Sequence, residues 1–166
     1  MLQSKELLEK FFFSIFKLEI NDFKEEKQNR EYEGFTFSIN EQLFRSRLAR
    51  KTPKKKEHFV AFWEKDEYNN NQPYLYNNSP SKIIISMIVG EKKGIFIFPR
   101  LILLDKKILK TDKQKGKMAI RVYPTWEKEL NDSAKRTQNW QKDYFIDLLA
   151  VNNLDKAKTL IYRNIA

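Results

Sequence analysis

Two apolar runs joined by a short charged turn constrain this fold more than any other feature. Ile83 to Val89 is apolar at nearly every position, and Gly94-Ile95-Phe96-Ile97-Phe98-Pro99 follows it closely. Runs of this length with apolar residues on both faces are strands from the middle of a sheet. Gly90 and Gly94 bracket the charged turn between them, so the two runs form an antiparallel hairpin. Strands of that kind need covering, and the rest of the chain supplies it.

Before the hairpin, Leu7, Leu8, Phe11, Ile15 and Leu18 recur at helical spacing, which predicts an amphipathic helix over 4–17 with Ser4 as its cap. Residues 21–34 are charged and aperiodic, and read as a helix tail or loop that ends at Gly34. Phe35, Phe37 and Ile39 alternate with polar residues, and Asn40-Glu41-Gln42 turns the chain into a partner strand over 43–51. Phe59 to Trp63 reads as another buried strand. Residues 66–81, rich in Asn and Tyr, read as a long mobile connection. After the hairpin, 117–123 is predicted as a strand stopped by Pro124, 130–150 as a helix, and 154–165 as a last short helix. The fold class is therefore α/β: one domain over residues 1–166, with a central mixed, largely antiparallel sheet flanked by helices.

The chain has 166 residues, and 13 Phe, 7 Tyr and 3 Trp are enough aromatic volume for one core of that size. No apolar run approaches the roughly 20 residues that cross a bilayer. The N-terminus is interrupted by acids and lysines, which excludes a signal-peptide apolar core, and there is no cysteine. A cytoplasmic protein is expected, with no membrane partner. The net charge of +10 points to a polyanionic partner wherever the excess is clustered.

It clusters at Phe44-Arg45-Ser46-Arg47-Leu48-Ala49-Arg50-Lys51-Thr52-Pro53-Lys54-Lys55-Lys56, with seven basic residues and no acid. On a strand, Arg45, Arg47 and Lys51 share a face with Ala49, while Phe44, Ser46 and Leu48 point the other way with Arg50. Such a stripe can neutralise phosphates. An edge strand guarded against aggregation would carry lysine and arginine too. A second basic face falls on Lys117, Ala119, Arg121 and Tyr123, with Trp126 close behind as either an aromatic platform or core. Thr137, Gln138 and Gln141 either hydrogen-bond sugar and phosphate or satisfy backbone groups in the sheet.

Signals for catalysis are weak. The single histidine, His58, and the absence of cysteine leave no usual zinc site and no Cys-His dyad. No glycine-rich phosphate loop is present. Four acid-x-Lys pairs occur, at Asp22/Lys24, Glu25/Lys27, Glu91/Lys93 and Asp105/Lys107. That is close to the roughly three expected by chance, and none lies within a clear strand.

The ordered set Glu31-Tyr32, Phe44-Arg45-x-Arg47-x-Ala49-Arg50-x-Thr52-Pro53-x-Lys55, Phe59-Val60-x-x-Trp63, Gly94-x-Phe96-x-Phe98-Pro99, Gly116-Lys117-x-Ala119-Ile120-Arg121-Val122-Tyr123-Pro124-x-Trp126 and Thr137-Gln138-x-Trp140-Gln141-x-x-Tyr144-Phe145 resembles the MepB-like family over about residues 31–149. The resemblance implies a bacterial cytoplasmic protein with a restriction-endonuclease-like α/β fold. It defines no activity. Glu57-His58 stands where the family commonly has Gly-Gln, and Ser79 and Ser81 stand where it often has aspartates.

The expectation is a nucleic-acid-binding domain, for DNA or RNA, that grips phosphates without catalysis or cofactor. Arg45, Arg47, Arg50, Lys51, Thr52, Lys54, Lys55, Lys117, Arg121, Trp126, Gln138 and Gln141 are its candidate contacts, with Arg45, Arg47 and Arg121 together on one exposed concave face. One alternative is an Mg²⁺-dependent nuclease or phosphodiesterase, with Glu31 and Asp66 as metal ligands and Lys51 at the scissile phosphate. The other is a regulatory adaptor that docks an acidic protein partner on the same face.

Overall fold

The computed structural model describes residues 2–52, 57–150 and 154–163. Its centre is a six-stranded mixed sheet built from β1 (Asn21–Glu25), β2 (Phe35–Ile39), β3 (Gln42–Leu48), β8 (Lys82–Val89), β9 (Lys92–Pro99) and β11 (Phe145–Asp147), in the order β1-β2-β3-β8-β9-β11. All neighbours are antiparallel except β3 and β8, which pair in parallel with Arg45 beside Ile83 and Arg47 beside Ile85. A parallel pair needs a crossover between its strands. Here residues 49–81 make it, and they build β4 (Arg50–Lys51), β5 (His58–Ala61), β6 (Trp63–Lys65) and β7 (Asn71–Pro73) on the way.

One face of the large sheet is covered by α1 (Gln3–Phe16) and α4 (Leu154–Tyr162). Leu8, Phe11 and Phe12 of α1 and Ala157 and Ile161 of α4 pack on Phe35, Phe37, Phe44, Ile84 and Ile97. The other face carries a second layer. There β10 (Ala119–Val122), β5 and β4 form a three-stranded sheet in that order. Val60, Ile120 and Val122 from this sheet meet Ile83, Ile85, Phe96 and Phe98 from the large one, with Leu103 of α2 (Arg100–Asp105) also in the cluster. The hairpin β6–β7 and helix α3 (Asp132–Gln141) complete the molecule.

The expected central hairpin is present as β8–β9, in a register that runs from Lys82 opposite Pro99 to Val89 opposite Lys92. Several other expectations change. Residues 21–25 are a strand at the sheet edge, and 30–32 a short 3-10 turn, where a helix tail or loop was expected. Ser4 does not cap α1. Its N–H and Oγ both donate to Glu33 Oε1, at 2.8 and 2.6 Å, so the acceptor comes from a distant segment. The strand expected over 43–51 stops at Leu48, and Arg50 and Lys51 cross into the other sheet. The helix expected over 130–150 ends at Gln141, because Phe145 and Ile146 are buried as a strand against Phe96 and Ile95. The connection 66–81 is tied down by a short strand and by the buried Tyr74. Among the described residues, no helix is long and apolar enough to cross a membrane.

A candidate nucleic-acid interface

The alternation in β3 is as expected, with Arg45 and Arg47 on the face opposite Phe44. That face is not exposed. The second layer lies over it, leaving the Arg47 side chain 0% and the Arg45 side chain 13% accessible. Both guanidiniums converge on the carboxylate of Glu26: Arg45 Nε donates to Oε1 at 2.9 Å and Arg47 Nη2 to Oε2 at 2.8 Å. The Tyr74 hydroxyl donates to the same Oε2 at 2.8 Å, accepts from Arg47 Nη2, and places its ring 3.8 Å from the Arg45 guanidinium carbon. Burial pushes the Glu26 carboxyl up, but Arg47 and Arg45 outweigh it and hold the group below the usual carboxylate range. Burial pushes the Tyr74 phenol up to about 12. Arg45 and Arg47 are thus the centre of an internal ion cluster. The expected shared face with Arg121 does not exist, because strand parity says which face a side chain takes and not what lies over it.

Cationic groups do meet on the outer face of the three-stranded sheet. Phe59 in the central strand is directly opposite Arg121 on one side and Arg50 on the other. Opposed residues share a face, so the half-buried ring stands between two exposed arginines. Each arginine is steadied from one side. Arg50 Nε donates to the Glu31 carbonyl at 2.7 Å and its Nη2 pairs loosely with Glu33 Oε2 at 3.8 Å, and Arg121 Nε pairs with Glu57 Oε2 at 2.7 Å; about half of each arginine side chain stays accessible. Tyr32 lies against Phe59 with ring centroids 6.0 Å apart.

Beside this row, between β10 and α3, is a cavity of about 420 Å³ lined by Phe59, Lys106, Lys117, Arg121, Thr137 and Trp140 among others, with no carboxylate in its lining. Lys117 also lines a neighbouring hollow of about 340 Å³ with Lys107, Lys113 and Lys115. The segment 106–117 holds six lysines and one aspartate. Only Lys117 of these is among the contacts expected from sequence. The density of like charge was the available signal, but without a strand or helix period it reads as ordinary solvated surface.

The remaining candidates divide. Gln141 is fully buried, accepting from Tyr123 N at 2.9 Å and donating to the Arg121 carbonyl at 2.9 Å. Gln138 Nε2 donates to the carbonyls of Pro124 and Glu127. Both therefore satisfy backbone groups. Trp126 packs edge-on against Phe145 with centroids 5.3 Å apart, as a boundary residue of the core. Lys51 is exposed but pairs in register with His58, on the opposite parity from Arg50. Thr52 N donates to the Glu57 carbonyl at 3.3 Å. Lys54 and Lys55 lie outside the described residues. Of the alternative metal ligands, Glu31 offers its backbone carbonyl to Arg50, and the Asp66 carboxylate accepts from Tyr68 N and Asn70 N in its own turn. Among the described residues, no group of three or more His, Asp or Glu is placed to hold a metal ion.

The MepB-like family model matches residues 26–147, most of the chain. This chain belongs to the MepB-like family. The chain is similar to the crystal structure of MepB, with 47% sequence identity, a TM-score of 0.79, and coverage of 90% of this chain and 99% of that one. A bacterial homing endonuclease aligns over 83% of this chain and 84% of its own, at 12% identity and a TM-score of 0.44. Among curated proteins no significant match is found.

Proposed function

We propose that this protein binds nucleic acid in the cytoplasm, through the outer face of its three-stranded sheet and the lysine-rich segment beside it. The observation that carries this reading is the cavity whose lining brings together Lys106, Lys117 and Arg121, the last held by Glu57 with half its side chain still accessible, continuous with the Arg121–Phe59–Arg50 row. Cations arranged in this way neutralise successive phosphates and release counterions, which gives an affinity that depends on salt and not on sequence. An aromatic ring set among them suits a polymer that carries planar bases. The buried Arg45 and Arg47 belong to the scaffold and not to the contact surface. No catalytic step is assigned.

The test is a titration of labelled oligonucleotides of unrelated sequence at several salt concentrations. Replacing Lys117 and Arg121 by Ala should weaken all sequences alike and lower the salt slope by about 0.7 to 0.9 for each phosphate that is no longer neutralised. An unchanged slope in the double variant, or no binding by the wild type, overturns the proposal. Binding of an acidic protein on this face would leave oligonucleotide affinity negligible at every salt concentration.

A further inference from the structure

We infer that the cavity between β10 and α3 is a pocket for a single unstacked nucleobase, so that this face prefers single strands; the inference rests on the nucleic-acid reading above. A patch that only holds phosphates needs cations and nothing flat. This one has three aromatic side chains in its lining, the largely buried Tyr123 and the more open Phe59 and Trp140, the last two fixed from outside the cavity. Phe59 is held in register between Arg50 and Arg121 and against Tyr32. Trp140 rests on Phe98, with centroids 5.5 Å apart. Rings fixed in this way present a stacking surface whose ordering cost is met on folding. On α3, Ser133 brings a hydroxyl to the lining, and Thr137, whose Oγ1 donates to the Ser133 carbonyl at 3.3 Å, keeps its acceptor lone pairs for the polar edge of a base. The cations complete the match to a nucleotide. Lys106 Nζ stands over the Trp140 ring, 5.6 Å from its centroid, so a base stacking there displaces this ammonium from the ring toward the phosphate that follows the base. The volume of about 420 Å³ lies within the ~300–1,000 Å³ of small-ligand sites. It admits one nucleoside unit, and a base inside a duplex cannot reach it without leaving its stack.

Two probes separate the base from the backbone: oligodeoxythymidylate, and an abasic oligomer of the same length and charge. The wild type should bind the first about tenfold more tightly, within the range that stacking one base on an aromatic side chain supplies. Thr137→Leu fills the cavity without altering charge or adding a ring, and should lower oligodeoxythymidylate binding to the level of the abasic oligomer; a preference that persists in the filled variant overturns the pocket. Ser133→Tyr, at an exposed helical position, provides a second filler should the first variant fold poorly, which thermal melting reports. Equal binding of the two oligomers by the wild type overturns the pocket and leaves the phosphate grip standing. The pocket is equally overturned if both fillers weaken both oligomers alike. Failure of the wild type to bind either oligomer overturns the nucleic-acid reading itself.

Discussion

Lys82, the first residue of β8, donates a hydrogen bond from its buried ammonium to the backbone carbonyl of Ile161 in the last turn of α4. The bond fastens the C-terminal helix to the centre of the sheet. Burial lowers the lysine's pKa from 10.5 to about 8. The unfolded chain therefore binds more protons than the folded one between pH 8 and 10.5, and stability contributed at this site rises across that window. Denaturant unfolding of wild type and Lys82→Met at several pH values should show the wild type gaining on the variant as pH climbs. Parallel curves would remove Lys82 as the cause.

Glu26→Gln should destabilise the protein by about 3 kcal/mol or more, because it leaves two buried guanidiniums without their shared carboxylate. Glu26 is held below its usual pKa, so its contribution is present above about pH 4.5 and is lost as acid protonates it. Thermal melts should fall more steeply with acid for the wild type than for the variant. A melting temperature within a degree or so of wild type at neutral pH would show that the cluster is not a source of stability.

Gly94 stands inside β9 and not at the turn. A Cβ there would lie 2.4 Å from Phe145 Cζ and 3.0 Å from the Ile146 carbonyl oxygen. Gly94→Ala should force β11 away from β9 and cost about 1–3 kcal/mol, as overpacking does. Amide exchange should rise at Phe145 to Asp147 before it rises in α1. Unaltered protection there would mean that the ring simply moves aside.

Gln141→Leu removes the partner of the Tyr123 N–H and of the Arg121 carbonyl at once. Two buried backbone groups left unpaired should cost on the order of 2–4 kcal/mol. Gln141→Glu should be no more stable than Gln141→Leu at neutral pH, because it buries a carboxylate against the Arg121 carbonyl, and should recover in acid, where the protonated group can donate to that carbonyl. Thermal melts of the two variants that run parallel with pH would contradict this account.

Much of the scaffold was legible from local pattern. The stripe of Leu7, Leu8 and Phe11 and the double-faced apolar runs before and after Gly90 decide α1, β8 and β9 almost alone, since burial on that scale has few other solutions. The site was legible only in part. Lys117 and Arg121 line one cavity, as their shared basic face suggests, but Arg50, expected to point away with Phe44, Ser46 and Leu48, joins them only by crossing into the other sheet, and Arg45 and Arg47 lie beneath a covering layer. Their partner Glu26 sits among charges with no feature that marks it as internal. Long-range covering of this kind leaves no trace in the period of a strand.

The crossover between the two parallel strands carries a consequence for the order in which the molecule forms. Arg50 and Phe59 lie on that excursion, whereas Arg121 arrives on β10, near the far end of the chain. During synthesis, a chain that has emerged only as far as β9 already contains the strands of the central hairpin and the partners of the internal ion cluster. Its β5 still lacks one neighbour and shows an open edge where Ala119 to Val122 will pair. The surface proposed to hold nucleic acid is then still incomplete, so a truncated or stalled chain displays positive charge with no groove to direct it and an unpaired strand ready to join another copy.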